Sequence, residues 1–86
     1  MNIYVGNLSY QVTENTLREL FEEFGSVASV KIIMDKFTGK PKGFAFVEME
    51  TYEGGQQAID NLNGKEFLSR TLKVNKALEK TSRPTR

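Results

Sequence analysis

The 86-residue chain contains no cysteine and no histidine. Without cysteine there is no disulfide framework and no thiolate chemistry. Without histidine the commonest metal ligand and the usual proton shuttle are gone, so a metal site would need carboxylates alone. Met1-Asn2-Ile3 leads straight into a predicted strand, with no basic region followed by a long apolar run. Neither a signal peptide nor a membrane span is expected, and the reading is of a cytoplasmic protein. The chain also lacks charge of one dominant sign: its net charge is +1. Residues 1–75 hold eight basic and ten acidic side chains, whereas in residues 76–86 Lys76, Lys80, Arg83 and Arg86 face only Glu79. A weakly acidic body with a basic tail differs from a protein coated in positive charge to grip duplex phosphates. With 38% hydrophobic and 27% charged residues, the composition is that of one small globular domain. Folding at this size buries only about two-thirds of the unfolded chain's surface.

What is present is an unusual strand. In Lys42-Gly43-Phe44-Ala45-Phe46-Val47-Glu48-Met49, alternation sends Gly43, Ala45, Val47 and Met49 to one face and Phe44, Phe46 and Glu48 to the other. The first set suits a face packed under helices. The second places two phenylalanines beside a glutamate, an apolar platform among charges, for which flat nucleobases are a fitting ligand. Ile3-Tyr4-Val5-Gly6-Asn7-Leu8 repeats the pattern, with Ile3 and Val5 on one face and Tyr4 on the other. If the two strands are neighbours, three aromatic rings cover one sheet surface.

These two stretches resemble the shorter and longer ribonucleoprotein signatures of the RNA recognition motif family. The longer one departs from the family only at Met49, where an aromatic is usual; by alternation that position belongs to the core. The resemblance spans residues 2 to about 77, and the small size is similar to that of the free-standing RNA-binding proteins of bacteria, including the cyanobacterial type.

Between the signatures, Thr13 is a good N-cap, Val12 and Leu17 can form a hydrophobic staple, and Leu17, Leu20, Phe21 and Phe24 recur at helical spacing before Gly25. Glu14, Glu19, Glu22 and Glu23 read as a solvated helix face. Val27 to Met34 predicts a strand with Val30, Ile32 and Met34 in the core, leaving Lys31 and Ile33 on the platform. Residues 35–41 form a basic loop with Lys36 and Lys40, in which Phe37 either stacks on a base or folds back over the loop. Thr51 caps a second helix ending at Asn63-Gly64, with Gly55, Ala58, Ile59 and Leu62 inward. Gly54 and Gly55 in its first turns each cost roughly 1 kcal/mol against alanine, so a late or frayed start is expected. Residues 65–70 form a turn or short hairpin with Phe67 and Leu68 packed. Leu72 and Val74 alternate with Lys73 and Asn75 in a last strand, and residues 78–86 read as a flexible basic tail beyond a 1–77 domain.

The order is βαββαβ: an α+β, ferredoxin-like split βαβ sandwich with a four-stranded antiparallel sheet and both helices on one face. The resemblance implies a non-catalytic binding module for single-stranded RNA, with single-stranded DNA as the other candidate, acting in post-transcriptional regulation, RNA stability or chaperoning. By resemblance, Tyr4 and Phe44 stack bases, Phe46 packs on sugars, Lys42 meets a phosphate, and Lys73, Asn75 and Lys76 read base edges. Lys31 either pairs with Glu48 or turns to RNA. Asn7 either ties down its loop or touches RNA. No cofactor, metal or membrane is implied, and a monomer is expected, though a partner protein or dimer would add specificity. The alternative is a protein-interaction module using the same sheet or the helix face; intact aromatic signatures count against it. Small acyl-phosphate hydrolases share this layout, but Ser9-Tyr10-Gln11-Val12 lacks the arginine they need after the first strand.

Overall fold

The outward and inward alternation of Asn2–Gly6 decides where the first strand goes. Ile3 and Val5 are fully buried and Tyr4 between them is half-buried, so β1 (Asn2–Gly6) presents one apolar face to the interior. The computed structural model describes residues 1–77; the tail expected over 78–86 lies outside them. Helix α1 spans Glu14–Glu22, β2 Val27–Met34, β3 Pro41–Met49 and α2 Tyr52–Leu62. A short pair, β4 (Glu66–Phe67) and β5 (Arg70–Thr71), precedes β6 (Lys73–Lys76). The main sheet has the order β2-β3-β1-β6, antiparallel throughout, so the two signature strands are its centre. This is the ferredoxin-like βαββαβ sandwich, with the β4–β5 hairpin added before the last strand.

Both helices carry the hydroxyl caps that the sequence predicts. The Thr13 hydroxyl accepts the Thr16 N–H at 3.2 Å, and the Thr51 hydroxyl accepts that of Gly54 at 3.0 Å. Leu17 and Phe21 of α1 and Ala58 and Leu62 of α2 are fully buried against Ile3, Val5, Ala45, Val47 and Val74 of the sheet. Leu20, Phe24 and Ile59 pack around that cluster.

Three expectations fail for tertiary reasons. Helix α2 starts directly after Thr51 rather than late, because Gly54 and Gly55 are buried contact surfaces. A Cβ on Gly54 would lie 3.1 Å from the Phe24 carbonyl oxygen and 3.3 Å from Gly25 Cα, and one on Gly55 would run into the Met1 side chain. The glycines let α2 approach the end of α1 and the N-terminus closely, which offsets their poor propensity. Met34 is half exposed rather than core, because the β2–β3 register shifts between Ile32 and Met34, and Met34 comes to lie opposite Pro41. Leu68 is also exposed: it occupies the β4–β5 turn with φ 52°, beside Ser69 at φ 68°, while Phe67 alone packs inward.

The α2 contact yields a test. Gly54→Ala, which would help an isolated helix, is expected to lower stability here by about 1–3 kcal/mol, whereas Gln57→Ala on the exposed side stays within about 0.5 kcal/mol. Urea unfolding midpoints measure both; a stabilised Gly54→Ala variant would contradict the close approach.

Candidate functional site

Pairing of β1 with β3 sets Tyr4 directly opposite Phe46 and Val5 opposite Ala45. Residues facing each other across a ladder share a face, so the register that buries Val5 and Ala45 lifts Tyr4, Phe44 and Phe46 to the side away from the helices. Tyr4 lies 6.0 Å from each phenylalanine, centroid to centroid, tilted 35° to Phe44 and 61° to Phe46. Phe44 and Phe46 meet edge to face at 6.2 Å. These are ordinary aromatic contact geometries. The rings brace one another while Tyr4 and Phe44 remain half-buried and Phe46 exposed.

Gly6 makes the trio possible. A Cβ there would fall 2.5 Å from the Tyr4 hydroxyl oxygen and 2.8 Å from Cζ, so the tyrosine lies across the space where a side chain would stand. Leaning over Gly6 brings its ring within reach of Phe44 as well as Phe46. Gly43 contributes differently, since its φ of +96° carries β3 through the irregularity ahead of Phe44, and its carbonyl accepts the Leu8 N–H at 2.8 Å.

The remaining predicted site residues fall around the rings. Lys31 is opposite Phe46, Asn75 opposite Tyr4 and Lys73 opposite Gly6, so all three share the ring face. Lys42 is exposed at the start of β3, Ile33 is half-buried beside the β2 register shift, and Glu48 closes the far end opposite Asn2. Among the described residues, Lys31, Lys42 and Lys73 form no ion pair or side-chain hydrogen bond. Glu48 takes a long 3.5 Å contact from the Ser29 hydroxyl, not from Lys31. The Lys76 side chain lies apart from the other predicted site residues. Lys76 opposes Ile3, a core position, so its side chain leaves the edge strand on the helix side and its ammonium stands 5.7 Å from the Tyr52 ring centroid.

Asn7 resolves to its structural alternative. With φ 58°, it donates from Nδ2 to the Thr71 carbonyl at 2.7 Å and accepts at Oδ1 from Arg70 Nη2 at 2.8 Å, fastening the β4–β5 hairpin to the end of β1. Phe37 does not fold back over its loop; it is 93% exposed. The sequence reading missed the Arg70 link and the position of Tyr10, whose ring edge rests beside Gly43. An isolated aromatic in a polar loop was the only signal for Tyr10.

Residues 3–73 match the RNA recognition motif. The chain belongs to that family. RbpA of Nostoc sp., whose name assigns it provisionally to RNA binding, is 49% identical over 83 residues, covering 96% of this chain and 81% of RbpA. The crystal structure of RNA-binding protein PG1 superposes with a TM-score of 0.90 at 48% identity, covering 98% of each chain. The Rna15 RNA recognition motif, solved with bound RNA (GU), has a TM-score of 0.82 at 33% identity, covering 94% of this chain and 86% of that one.

The ring geometry predicts that Gly6→Ala displaces Tyr4 without unfolding the domain. Large chemical-shift changes of the Tyr4 ring with an unchanged far-ultraviolet circular dichroism spectrum are expected; unaltered Tyr4 shifts would show that the ring does not depend on Gly6.

Proposed function

We propose that this chain binds single-stranded RNA on the ring face of its sheet, as a non-catalytic module in post-transcriptional regulation such as RNA stability or chaperoning. The observation that carries the reading is the gathering of Tyr4, Phe44 and Phe46 on the side away from the helices, with Lys31, Lys42 and Lys73 uncommitted around them. Exposed aromatic surface in contact with water is unfavourable to the folded protein alone and becomes favourable when bases cover it.

Single strands offer base faces that a duplex hides. Stacking on an aromatic side chain contributes roughly 1–3 kcal/mol per base, so two bases on Tyr4 and Phe44 supply a large part of the about 8 kcal/mol of a micromolar complex. Phe46, exposed beside them, packs against the sugars. Lys42 meets a phosphate, Lys73 and Asn75 present donors and an acceptor to base edges along β6, and Lys31 and Glu48 border the strand with Ile33 beside them. Lys76 takes part through its backbone, its side chain being directed to Tyr52. The relatives support the reading: the Rna15 domain was solved with RNA, as was a Sex-lethal protein–RNA complex, 38% identical to this chain, with a TM-score of 0.84, covering 88% of this chain and 47% of that one. The site acts as a monomer in the cytoplasm.

Fluorescence anisotropy with randomised single-stranded RNA and DNA pools tests the reading. Phe44→Ala and Phe46→Ala together are expected to weaken RNA binding at least about tenfold while circular dichroism still reports the folded domain. Absence of wild-type binding to either pool at physiological salt would assign the ring face to a protein partner instead. Lys42→Gln is expected to weaken binding similarly for all sequences and to flatten the log affinity against log salt slope by about 0.7. A loss confined to one RNA sequence would place Lys42 on a base rather than a phosphate.

A further inference from the structure

The main sheet ends at β2, whose outer edge pairs with no strand among the described residues. Arg18 Nη1 donates to the Val27 carbonyl at 3.3 Å, so its side chain covers the start of that edge. Beyond it, the β2–β3 register is regular only from Ser29 to Ile32, between two shifts. Such irregularities keep an edge strand from pairing along its whole length. Within the regular stretch, Val30 and Ile32 lie opposite the buried Val47 and Ala45, on the helix side, yet both stay half-buried. Ser29 and Lys31 are exposed on the ring face, opposite Glu48 and Phe46.

A second copy of the same strand suits this edge. When identical strands join antiparallel into one continuous sheet across a two-fold axis, one residue must face its own copy, because opposed residues share a face. Lys31 in that place would set two ammonium groups against each other, which is destabilising. Val30 in that place sets Lys31 against Ser29 of the second copy, with that copy's Glu48 next across the sheet, and closes Val30 on Val30 on the helix side.

The two ends of β2 then complement each other. At one end Met34 is 50% and Phe37 93% exposed, with Lys36 and Lys40 close to Phe37 along the loop. The loop holds Phe37 outward: its N–H bonds to Asp35 Oδ1 at 2.7 Å, and Asp35 exchanges backbone bonds of 2.8 Å with Gly39 and Lys40. At the other end is an open hollow lined by Glu22, Gly25, Ser26, Val27 and Glu50. With Val30 on the axis, Met34 falls opposite Ser26 of the second copy and the 35–40 loop runs on toward that copy's hollow. A phenylalanine among lysines meets a recess edged by glutamates, and the symmetry makes the contact twice.

We propose that the outer edge of β2 is a homodimer interface, paired antiparallel about Val30, with Phe37 of each copy seated beside Glu22 and Glu50 of the other. The contact is closed, because each chain uses its one β2 edge, so pairs form rather than fibres. Each ring face stays complete within its own chain, and both lie on the same side of the joined sheet. The inference goes beyond the RNA-binding reading and does not depend on it. The regular stretch is short, so the single chain is the unit at low concentration and the pair forms as concentration rises.

Sedimentation equilibrium reads the mass, and because the chain has no cysteine, one engineered thiol reads the register. Wild type is expected to pass from one chain to two with a dissociation constant on the order of 100 μM. Phe37→Ser, and separately Glu22→Lys with Glu50→Lys, are expected to weaken the pair about tenfold with an unchanged circular dichroism spectrum. Val30→Cys is expected to oxidise to a disulfide dimer, since opposed residues have Cα atoms about 4.5–5.5 Å apart, within disulfide reach. Ile32→Cys, displaced from its own copy along the strand, is expected to remain a free thiol. An equimolar mixture of Ser29→Cys and Lys31→Cys, both at exposed positions, is expected to give the mixed disulfide, which keeps the register testable if Val30→Cys disturbs the fold. A single-chain mass at millimolar concentration overturns the proposal. So does a dimer that Phe37→Ser leaves within twofold of wild type, or one that Ile32→Cys cross-links as readily as Val30→Cys.

Discussion

The antiparallel register between β1 and β3 is the constraint on which everything else rests. Ile3 opposite Val47 and Val5 opposite Ala45 form the floor of the core; Tyr4 opposite Phe46 forms the ring face. The two sets are inseparable, because a slip of one residue in either strand would send every side chain to the other face. Helix packing selects the register, since only one arrangement brings four apolar side chains under Leu17, Phe21, Ala58 and Leu62. The core therefore decides the geometry of the site without contributing an atom to it.

Small residues then allow three close approaches that larger ones would forbid. Gly6 lets Tyr4 lean over the backbone, Gly54 lets α2 meet the end of α1, and Gly43 lets β3 pass through a left-handed conformation next to the loop that carries Tyr10. In a domain this small the core is economical, and such approaches gain contact without adding residues. The rings go the other way. Apolar surface that could have been buried is left facing water, and mutual edge-to-face contacts hold it in place. A fold that only had to be stable would not keep it there.

Hydrogen bonds at the Phe44 end complete the arrangement. Asn7 joins β1 to the β4–β5 hairpin through Thr71 and Arg70, and the Leu8 N–H joins the following loop to Gly43. Two connections that look independent along the chain are thus referenced to the same pair of central strands. The uncommitted lysines around them add positive charge on the sheet face of a body whose residues 1–75 are weakly acidic.

Much of this was legible in the linear chain. Period-two alternation in Ile3–Leu8 and Lys42–Met49 specified which residues turn inward. Helical spacing from Leu17 to Phe24 and hydroxyl caps at Thr13 and Thr51 located the helices, because caps and periodicity depend on near neighbours. Where the reading went astray, the deciding contact came from far along the chain. The start of α2 depended on Phe24, Gly25 and Met1 meeting Gly54 and Gly55. Met34 and Leu68 were exposed by a register shift and a turn that their apolar character could not announce. The order of residues by itself determined the strands, the helices and the identity of the ring-bearing face, since these follow from local alternation and hydrogen-bonding capacity. Only the tertiary structure decided how the rings lean, which lysines share their face and that Tyr10 lies beside Gly43, because those depend on distances between segments that sequence separation does not encode.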